Sequence, residues 1–439
     1  MAAELHPIAV PRLAAGAGPL LTIESHLLAH QADIEQWFHC QWQETPAPFY
    51  ASVDLRNAGF KLAPVDTNLF PAGFNNLGHA FEPLCVHALQ TAVERLLPRP
   101  CKMVLIPEDH TRNPHYWENI AALIRLLRLA GAEVRVGSVA PDLAAPQDVT
   151  LASGETLTRE PLRRIGDRAV LADFDPCVIL LNNDLSGGVP AVLAGIGQIV
   201  TPPTCMGWSV RRKSQHFALY DHVVAELTGL VGLDPWLVNP LFRRCGKIDF
   251  AKREGEECLS MHVADLLVAI KKKYREYGVE QEPFVFVKAD SGTYGMNIMV
   301  VRSPEEVRDL NRRQRTKMAH GKGGIAVTEV LVQEGVPTAE AVGSEPAVAE
   351  PVVYMIDHYV VGGFYRVHTG RGPTENLNAP GMHFEPLVFA EGCSTPDRRL
   401  DPDAGVNRFY AYGVVARLAL LAAAHEIHEV RGTRDEGRG

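Results

Sequence analysis

The sequence predicts a mixed α/β and α+β protein in which a Rossmann-like parallel sheet comes first and an α+β region follows. Between Glu82 and Thr201, short apolar runs alternate with amphipathic helical patterns, as in parallel sheets that are covered on both faces. No G-x-G-x-x-G motif follows any of these runs, so a dinucleotide-binding fold is not indicated. From Pro283 onward, β-branched and aromatic runs follow one another across glycine-rich bends, which is typical of paired strands.

Length and composition indicate a soluble protein of more than one domain. The chain has 439 residues, of which 46% are hydrophobic and 22% charged, and its net charge is −9. This acidic balance argues against a nucleic-acid partner, because nucleic-acid binders present basic surfaces. We predict a helical lead-in over residues 1–48, a substrate-side α/β domain over 49–245, a second domain over 246–430 and a disordered tail over 431–439.

Cysteine usage and the absence of targeting patterns indicate a cytoplasmic location. Eight cysteines are scattered along the chain without a C-x-x-C pair or a Cys/His zinc spacing, which favours free thiols in a reducing compartment. The first residues lack a basic segment followed by an apolar one, and no apolar run reaches membrane-spanning length. We therefore expect a soluble protein without a membrane partner, and a homo-oligomer remains open.

The parallel-sheet region is predicted from a regular series of elements. Polar loops follow two of its strands, at Glu108–Asn113 and Asn182–Ser186, and they are either pocket walls or helix caps. A helical pattern at Ile23–Phe38 precedes the series. The series comprises helices at Glu82–Leu97, Pro114–Ala130 and Val189–Ile196 and strands at Lys102–Pro107, Ala132–Val139, Cys177–Leu181 and Gln198–Thr201.

The polar stretch Asp54–Leu77 is too rich in Asn, Gly and Pro for a buried element and too apolar for a flexible linker. One interpretation is a pocket for a zwitterionic substrate, in which cations bind carboxylates and a carboxylate binds an ammonium group. The other is an irregular loop held by Asx turns. The residues of the candidate pocket are Arg56, Lys61, Asp66, Asn68, Asn75 and Asn76.

Two further cationic segments have simple interpretations. Gly207–Phe217 carries Arg211, Arg212 and Lys213, and we interpret it as the solvated start of a helix. The helix predicted after Ser303 carries a row of arginines, which is typical of a solvated face.

A glycine loop between two strands is a candidate phosphate site. The strand Phe284–Lys288 ends in a lysine, residues 289–297 are rich in glycine, and a second strand follows at Ile298–Val301. Backbone N–H groups of such a loop can surround a phosphate while the ammonium neutralises its charge. It is not a Walker loop, because it lacks G-K-[ST] and leads into a strand; a plain hairpin is the alternative.

The segment Val352–Leu387 combines an arginine, a carboxylate and two amides. It predicts two strands with a turn at Asp357-His358, Arg366 on the second strand, and a polar quartet at residues 375–378. An arginine fork suits phosphate or carboxylate, and Glu and Asn oxygens suit a hard cation. The alternative is an exposed hairpin with a polar loop. A strand at Gly324–Gln333 precedes it and a long helix at Arg408–Val430 follows.

The order of these elements resembles the ATP-grasp ligase fold, with a pre-ATP-grasp sheet domain in front. The stretch VVYMIDHYVVGGFYRVHTGRGPTENLNAPG is similar to the corresponding region of bacterial glutathione synthetase. Over residues 20 to 428 the chain resembles still more closely the bacterial ATP-grasp-type glutamate–cysteine ligase family. The most specific pieces are DLRNAGFKLAPVDTNLFPAGFNNL, FVKADSGTYGMNIM and GGFYRVHTGRGPTENLNAPGMHFEPL.

The resemblance implies roles for single residues. Lys288 would contact nucleotide phosphate, and Arg366 would steady the γ-phosphate and then the developing tetrahedral centre, so both are the expected catalytic residues. A flap would cover the phosphates, and backbone groups of a hinge would hold adenine. The residues expected to bind ATP are Lys288 at the end of its strand, Ser291, Gly292 and Gly295 in the flap, Gln333 and Glu334 at the hinge, and Asn376 in the loop after the strand pair.

The magnesium ligands are where the chain departs from its relatives. Glutathione synthetases place an Asp and a Glu-x-Asn set after the long helix that follows this loop, but here only a short charged tail remains. Either Glu375, Asn376 and Asn378 hold the metal, with Glu350 or Asp357 as further candidates, or the site is built differently.

The activity that the resemblance implies is ATP- and Mg²⁺-dependent joining of the γ-carboxylate of L-glutamate to L-cysteine through an acyl phosphate, the first step of glutathione biosynthesis. Two alternatives stay open. One is another ATP-grasp carboxylate–amine ligase with a different amino-acid substrate. The other is a non-catalytic nucleotide-binding regulator.

Overall fold

The computed structural model describes residues 19–97, 101–109, 111, 113, 115–291, 298–320, 326–342, 347–386 and 408–436. The helices in these ranges are α1 (Pro19–Ala29), α2 (Gln31–Glu44), α3 (Glu82–Leu96), α4 (Tyr116–Leu129), α5 (Lys213–Val231), α6 (Glu256–Glu276), α7 (Pro304–Arg308), α8 (Arg312–Ala319) and α9 (Arg408–Glu436). The strands are β1 (Tyr50–Asn57), β2 (Leu62–Asn68), β3 (Lys102–Ile106), β4 (Glu133–Ser138), β5 (Gln147–Thr150), β6 (Thr156–Pro161), β7 (Arg163–Ile165), β8 (Arg168–Val170), β9 (Val178–Leu181), β10 (Ile199–Thr201), β11 (Phe242–Gly246), β12 (Val285–Ala289), β13 (Ile298–Val301), β14 (Glu329–Glu334), β15 (Ala341–Val342), β16 (Ala347–Ile356), β17 (Tyr359–His368) and β18 (His383–Pro386).

The predicted parallel sheet is confirmed. Its strand order is β10-β9-β3-β4-β6-β5, and every neighbouring pair is parallel except β5 with β6. The helix predicted at Val189–Ile196 is wrong, since only a 3-10 turn forms at Ala191–Leu193. Gly188 and Gly195 take positive φ angles of 96° and 65° on either side of that turn, which stops helical propagation.

The polar stretch after Asp54 was not expected to be a buried element, but it forms most of a buried strand pair. β1 lies between β2 and β16 in an antiparallel sheet of order β18-β17-β16-β1-β2, with β15 paired to β16. A polar sequence can form this inner strand because successive side chains of a strand point to opposite faces of the sheet. Val53 and Leu55 face the apolar core, and Asp54 and Arg56 face the opposite side. The sheet joins strands from both sides of the predicted boundary at residue 245.

Helix α9 covers the apolar face of this sheet. It packs against β1, β2 and α5, and nearly all side chains between Tyr410 and Ala424 are buried, as in helices that are enclosed by protein. The helix continues to Glu436, beyond the predicted end at Val430. Within the described ranges, no helix combines the length and the apolar character that a membrane span requires.

A second antiparallel sheet has the order β11-β14-β12-β13, and α6 packs on one of its faces. β14 begins at Glu329, five residues later than the predicted start at Gly324. The single arginine-rich helix expected after Ser303 is divided into α7 and α8. Asn311 causes the division, because its side chain accepts from the Gln314 N–H and the Gln314 side chain accepts from the Asn311 N–H, which caps a new helix.

Candidate active site

The polar face of the β18-β17-β16-β1-β2 sheet and one face of the β11-β14-β12-β13 sheet enclose a pocket. The start of α5 and the loop after β17 close its sides. The pocket is lined by Asp54, Arg56, Val65, Asp66, Glu350 and Arg366 from the first sheet, Phe286, Lys288, Ala289 and Ile298 from the second, and Lys213, Ser291, Asn376 and Asn378 from the segments around them.

A row of three charged residues crosses the first sheet. Glu350 of β16 is paired in register with Arg366 of β17, and its carboxylate accepts from Arg366 Nη1 at 2.5 Å and from Arg56 Nε at 2.6 Å. Burial opposes ionisation of Glu350, but Arg56 and Arg366 hold its pKa below the ordinary value. Arg56 also donates to the carbonyls of Pro373 and Glu375, at 3.0 and 2.7 Å, so it anchors the loop after β17.

The Asp54 carboxylate is the second one that contacts the Arg366 guanidinium. Its oxygens lie 3.0 Å from Arg366 Nη1 and 3.3 Å from Arg366 Nη2. Burial raises the pKa of Asp54 above its ordinary value, although Arg366 lowers it. Burial alone would lower the pKa of Arg366, but Asp54 and Glu350 raise it, which keeps the guanidinium charged. Among the described residues, Arg366 Nε has no hydrogen-bond partner.

Lys288 projects from β12 toward the first sheet. Its Nζ donates to Gln333 Oε1 at 2.7 Å and to the Val65 carbonyl at 2.9 Å. That carbonyl is available because the register of β1 and β2 shifts between Asp54 and Leu55. Burial lowers the pKa of Lys288 to about 8, against the effect of nearby carboxylates. Gln333 Nε2 is a buried donor without a partner in the described part of the chain.

The start of α5 was expected to be solvated, and this expectation is wrong. Lys213 is 8% exposed; its Nζ lies 3.3 Å from Asp66 Oδ1 and 3.7 Å from the centre of the Trp208 ring. Burial disfavours the charged form of Asp66, but Lys213 and Lys288 hold its pKa below the ordinary value. Asp290, next to Ser291, accepts from the Ser214 N–H and hydroxyl at 2.7 Å each and thereby ties the residue after β12 to the start of α5.

Arg211 is buried as well and belongs to a structural network behind the pocket. It binds Glu426 of α9 through Nε and Nη2, at 2.9 and 2.8 Å, and it donates to the Thr67 carbonyl at 2.6 Å. His216 contacts the same carboxylate at 2.5 Å. Burial alone would raise the pKa of Glu426, but Arg211 and His216 lower it to about 2. The network joins α5, α9 and β2.

Four of the predicted substrate residues lie away from the pocket. Lys61 is fully buried, with Nζ 2.8 Å from Glu334 Oε2 and 4.3 Å from the centre of the Trp236 ring. Asn68 forms an Asx turn with Phe70, as the alternative interpretation of this stretch expected. Asn75 and Asn76 lie in a 3-10 turn at Phe74–Asn76 beside α4.

The expected metal ligand Glu375 also lies away from the pocket. Its carboxylate accepts from the Gly372 N–H and pairs with Arg371, both at 2.7 Å, and these contacts lower its pKa, the N–H most. Asp357 sits in the hairpin turn and pairs with Arg95 at 2.8 Å. Of the alternatives, Glu350 reaches the pocket. The sequence analysis did not predict Asp54 as a pocket residue. It lies two residues before Arg56 on the same strand, so both side chains point to one face, and this spacing could have indicated its position.

Glu334 of the predicted adenine hinge and the residue after it already use their N–H groups in the sheet. The Glu334 N–H donates to the Leu241 carbonyl at 2.7 Å, and the Gly335 N–H donates to the Phe284 carbonyl at 2.8 Å. These donors are therefore not open to a purine. Ser291 does lie at the pocket, whereas Gly292 and Gly295, the other flap residues, lie outside the described residues.

Comparison with known proteins points to one family. The family model described as glutamate-cysteine ligase matches residues 24–427. A crystal structure from Methylobacillus flagellatus KT, assigned provisionally as a gamma-glutamylcysteine synthetase, is 60% identical, with 96% of this chain and 99% of that chain covered and a TM-score of 0.88. A glutathione synthetase-like effector from Globodera pallida is 10% identical over 79% of this chain and 78% of that chain, with a TM-score of 0.36. No curated protein matches.

Proposed function

This chain belongs to the glutamate–cysteine ligase family, and from that premise we propose that it joins the γ-carboxylate of L-glutamate to the amino group of L-cysteine with cleavage of ATP. It is an ATP-dependent ligase. The observation that carries the proposal is the pocket, in which Lys288 and Arg366 meet across two sheets with oxygen ligands beside them. These are the groups that phosphoryl transfer to a carboxylate requires.

The cationic side of the pocket suits the phosphates of ATP. Two protons of the Lys288 ammonium are held by described residues, and an ammonium has three, so one can face a ligand. Arg366 also lines the pocket, and Asp54 and Glu350 keep its guanidinium charged. Lys288 and Arg366 therefore offer positive charge to a phosphate from the two sheets.

The arrangement of the two sheets supports an ATP-grasp mode of binding. Phe286, Ala289 and Ile298 form an apolar wall next to Lys288, which suits the faces of a purine. Because the N–H groups of Glu334 and Gly335 are paired in the sheet, we assign recognition of the base to this wall. Flap closure by the loop that contains Gly292 and Gly295 remains part of the proposal.

We propose a reaction in two steps. A γ-carboxylate oxygen of glutamate attacks the γ-phosphorus, the bond to the β,γ-bridging oxygen breaks, and ADP leaves. The amine of cysteine then attacks the acyl carbon, the carbon–oxygen bond to phosphate breaks, and the ammonium protons pass to solvent. Negative charge grows on phosphoryl and acyl oxygens in both steps, so Lys288 and Arg366 stabilise both transition states.

Magnesium fits the oxygen donors of the pocket. The pKa of Asp54 is raised despite its contact with Arg366, so this carboxylate lies where further positive charge is favourable. Asp54 and the amide oxygens of Asn376 and Asn378 would hold the ion, with Glu350 behind them. When bound, Mg²⁺ would supply charge neutralisation for the phosphate oxygens.

The amino-acid substrates would bind beside these groups. Asp66 and Lys213 offer a carboxylate and an ammonium group to a zwitterion at the end of the pocket next to α5. Arg56 is engaged by Glu350 and two carbonyls, so we assign it to positioning the loop that carries Asn376.

The test is phosphate release with ATP, glutamate and a panel of amines. Release that depends on both glutamate and cysteine supports the proposal, and a preference for a different amine favours another carboxylate–amine ligase. ATP binding without amino-acid-dependent hydrolysis favours a regulator. Glutamate labelled with ¹⁸O in its γ-carboxylate tests the intermediate, because one labelled oxygen must appear in the released phosphate if an acyl phosphate forms.

A further inference from the structure

Two cysteines and a histidine meet on the side of the β11-β14-β12-β13 sheet that faces α6. Cys245 lies in β11, and Cys258 and His262 lie four residues apart on α6, so both project from one side of the helix. The two sulfur atoms and one ring nitrogen of His262 all lie within 4.8 Å of one another. Cys245 and Cys258 are free thiols in the structure.

We propose that Cys245, Cys258 and His262 form a binding site for Zn²⁺ that is separate from the pocket. None of the three is among the described residues that line the pocket. Cys245 belongs to the buried core, and its sulfur lies within 4.8 Å of the ligand atoms of Cys258 and His262 on α6.

The spacing of the three ligand atoms is close to what zinc requires. Zn–S distances of about 2.3 Å and Zn–N distances of about 2.0–2.1 Å in a tetrahedron place ligand atoms about 3.6–3.8 Å apart. The three ligand atoms, which lie within 4.8 Å of one another, must therefore move closer by up to about 1 Å to bind the ion. Cys258 is exposed and His262 half-buried, so their side chains can rotate, while Cys245 is only 1% exposed and fixed in a paired strand.

Two thiolates and an imidazole favour a metal ion of borderline or soft character. Two thiolates and a neutral imidazole bring a divalent ion to zero net charge, which makes partial burial favourable. Sulfur and nitrogen ligands suit Zn²⁺ and are poor ligands for Mg²⁺, whereas the described residues that line the pocket offer oxygen ligands. The two sites would thus not compete for one ion.

A bound Zn²⁺ would cross-link α6 to an edge strand of the sheet. β11 is the outer strand of its sheet in the order β11-β14-β12-β13, and the turn that joins it to α6 contains Lys247, Arg253 and Gly255 with positive φ angles of 67°, 65° and 80°. A metal bound across this turn would restrain it and stabilise the sheet that carries Lys288. Three protein ligands leave one coordination position for solvent.

Cobalt spectroscopy on the reduced full-length protein tests the proposal. We expect one equivalent of Co²⁺ to produce thiolate-to-metal charge-transfer absorption, and Zn²⁺ to abolish it by displacement. Cys258→Ser should weaken Zn²⁺ binding at least about tenfold, and His262→Ala should do the same. The matched control is Cys40→Ser, which removes another exposed thiol, in α2, and should leave binding unchanged. Zn²⁺ should raise the Tm of the wild type and of Cys40→Ser but not of Cys258→Ser.

Two results would overturn the site. One is a Co²⁺ spectrum without thiolate charge transfer. The other is equal Zn²⁺ affinity in wild type and Cys258→Ser. If two thiols are still missing from a thiol count after treatment with reductant, a stable Cys245–Cys258 disulfide is present, and this result would also exclude the metal site. Because Cys258 is exposed, its replacement by serine is not expected to prevent folding.

Discussion

Glu350 stands directly opposite Arg366 on the neighbouring strand, and the guanidinium Nη1 donates to Glu350 Oε1 across 2.5 Å. The other oxygen of the same carboxylate accepts from Arg56. Arg366 is thus oriented by the sheet before any ligand arrives, and its Nε remains without an acceptor among the described residues. A cation that is held in place in this way can stabilise transition-state charge without reorganisation.

Arg366→Ala should lower kcat by about 10²-fold or more, because it removes a charged donor from the developing phosphoryl and acyl oxygens. The measurement is steady-state phosphate release with ATP, glutamate and cysteine. Arg371→Ala is the matched control, since Arg371 forms an exposed pair with Glu375 near the same loop. Near-normal turnover in Arg366→Ala would remove this residue from the reaction.

Lys288 should make ATP use depend on pH. Burial lowers its pKa to about 8, so the ammonium that attracts phosphate is charged below pH 8 and is lost as the pH rises through that value. The kcat/KM for ATP should therefore fall above pH 8, and ATP-bound enzyme should titrate at higher pH because phosphate favours the charged form. Lys288→Ala should lower turnover by about 10²-fold or more. An unchanged kcat/KM for ATP on both sides of pH 8 would contradict this role.

The metal assignment can be tested by magnesium dependence. Asp54→Asn should raise the Mg²⁺ concentration needed for half-maximal activity, by about tenfold or more, because it removes a carboxylate ligand. Glu375→Gln should leave that concentration unchanged, since the Glu375 carboxylate is turned toward Arg371 and the Gly372 N–H. The opposite ranking of the two variants would restore Glu375 as a ligand.

Lys61 should matter for stability, although its sequence context predicted a substrate role. Lys61→Met leaves the buried Glu334 carboxylate without its cation, which should lower the free energy of unfolding by about 3–5 kcal/mol. The KM for glutamate should stay the same. Denaturant unfolding measures the loss, and the double variant Lys61→Met/Glu334→Gln should recover part of it because no buried charge remains. A raised KM with unchanged stability would revive the substrate interpretation.

Patterns confined to short segments were read correctly from the sequence. The strand that carries Lys288, the strand pair with its turn at Asp357 and the placement of Arg366 all depend on local alternation. The family resemblance also rests on contiguous motifs, and membership of the glutamate–cysteine ligase family is confirmed. The predictions for Lys61 and Lys213 were wrong because both side chains are buried beside a charged partner. The residue type alone does not show which other side chains surround a lysine in the folded protein.

The sequence by itself therefore determined the family, the order of most strands and helices, and the two cations at the centre of the pocket. Only the tertiary structure decided what surrounds them. Asp54 and Glu350 meet at Arg366 because β1 pairs with β16, and that register is set by packing between strands almost 300 residues apart in the chain. Local periodicity contains no information about which distant strand a residue will face.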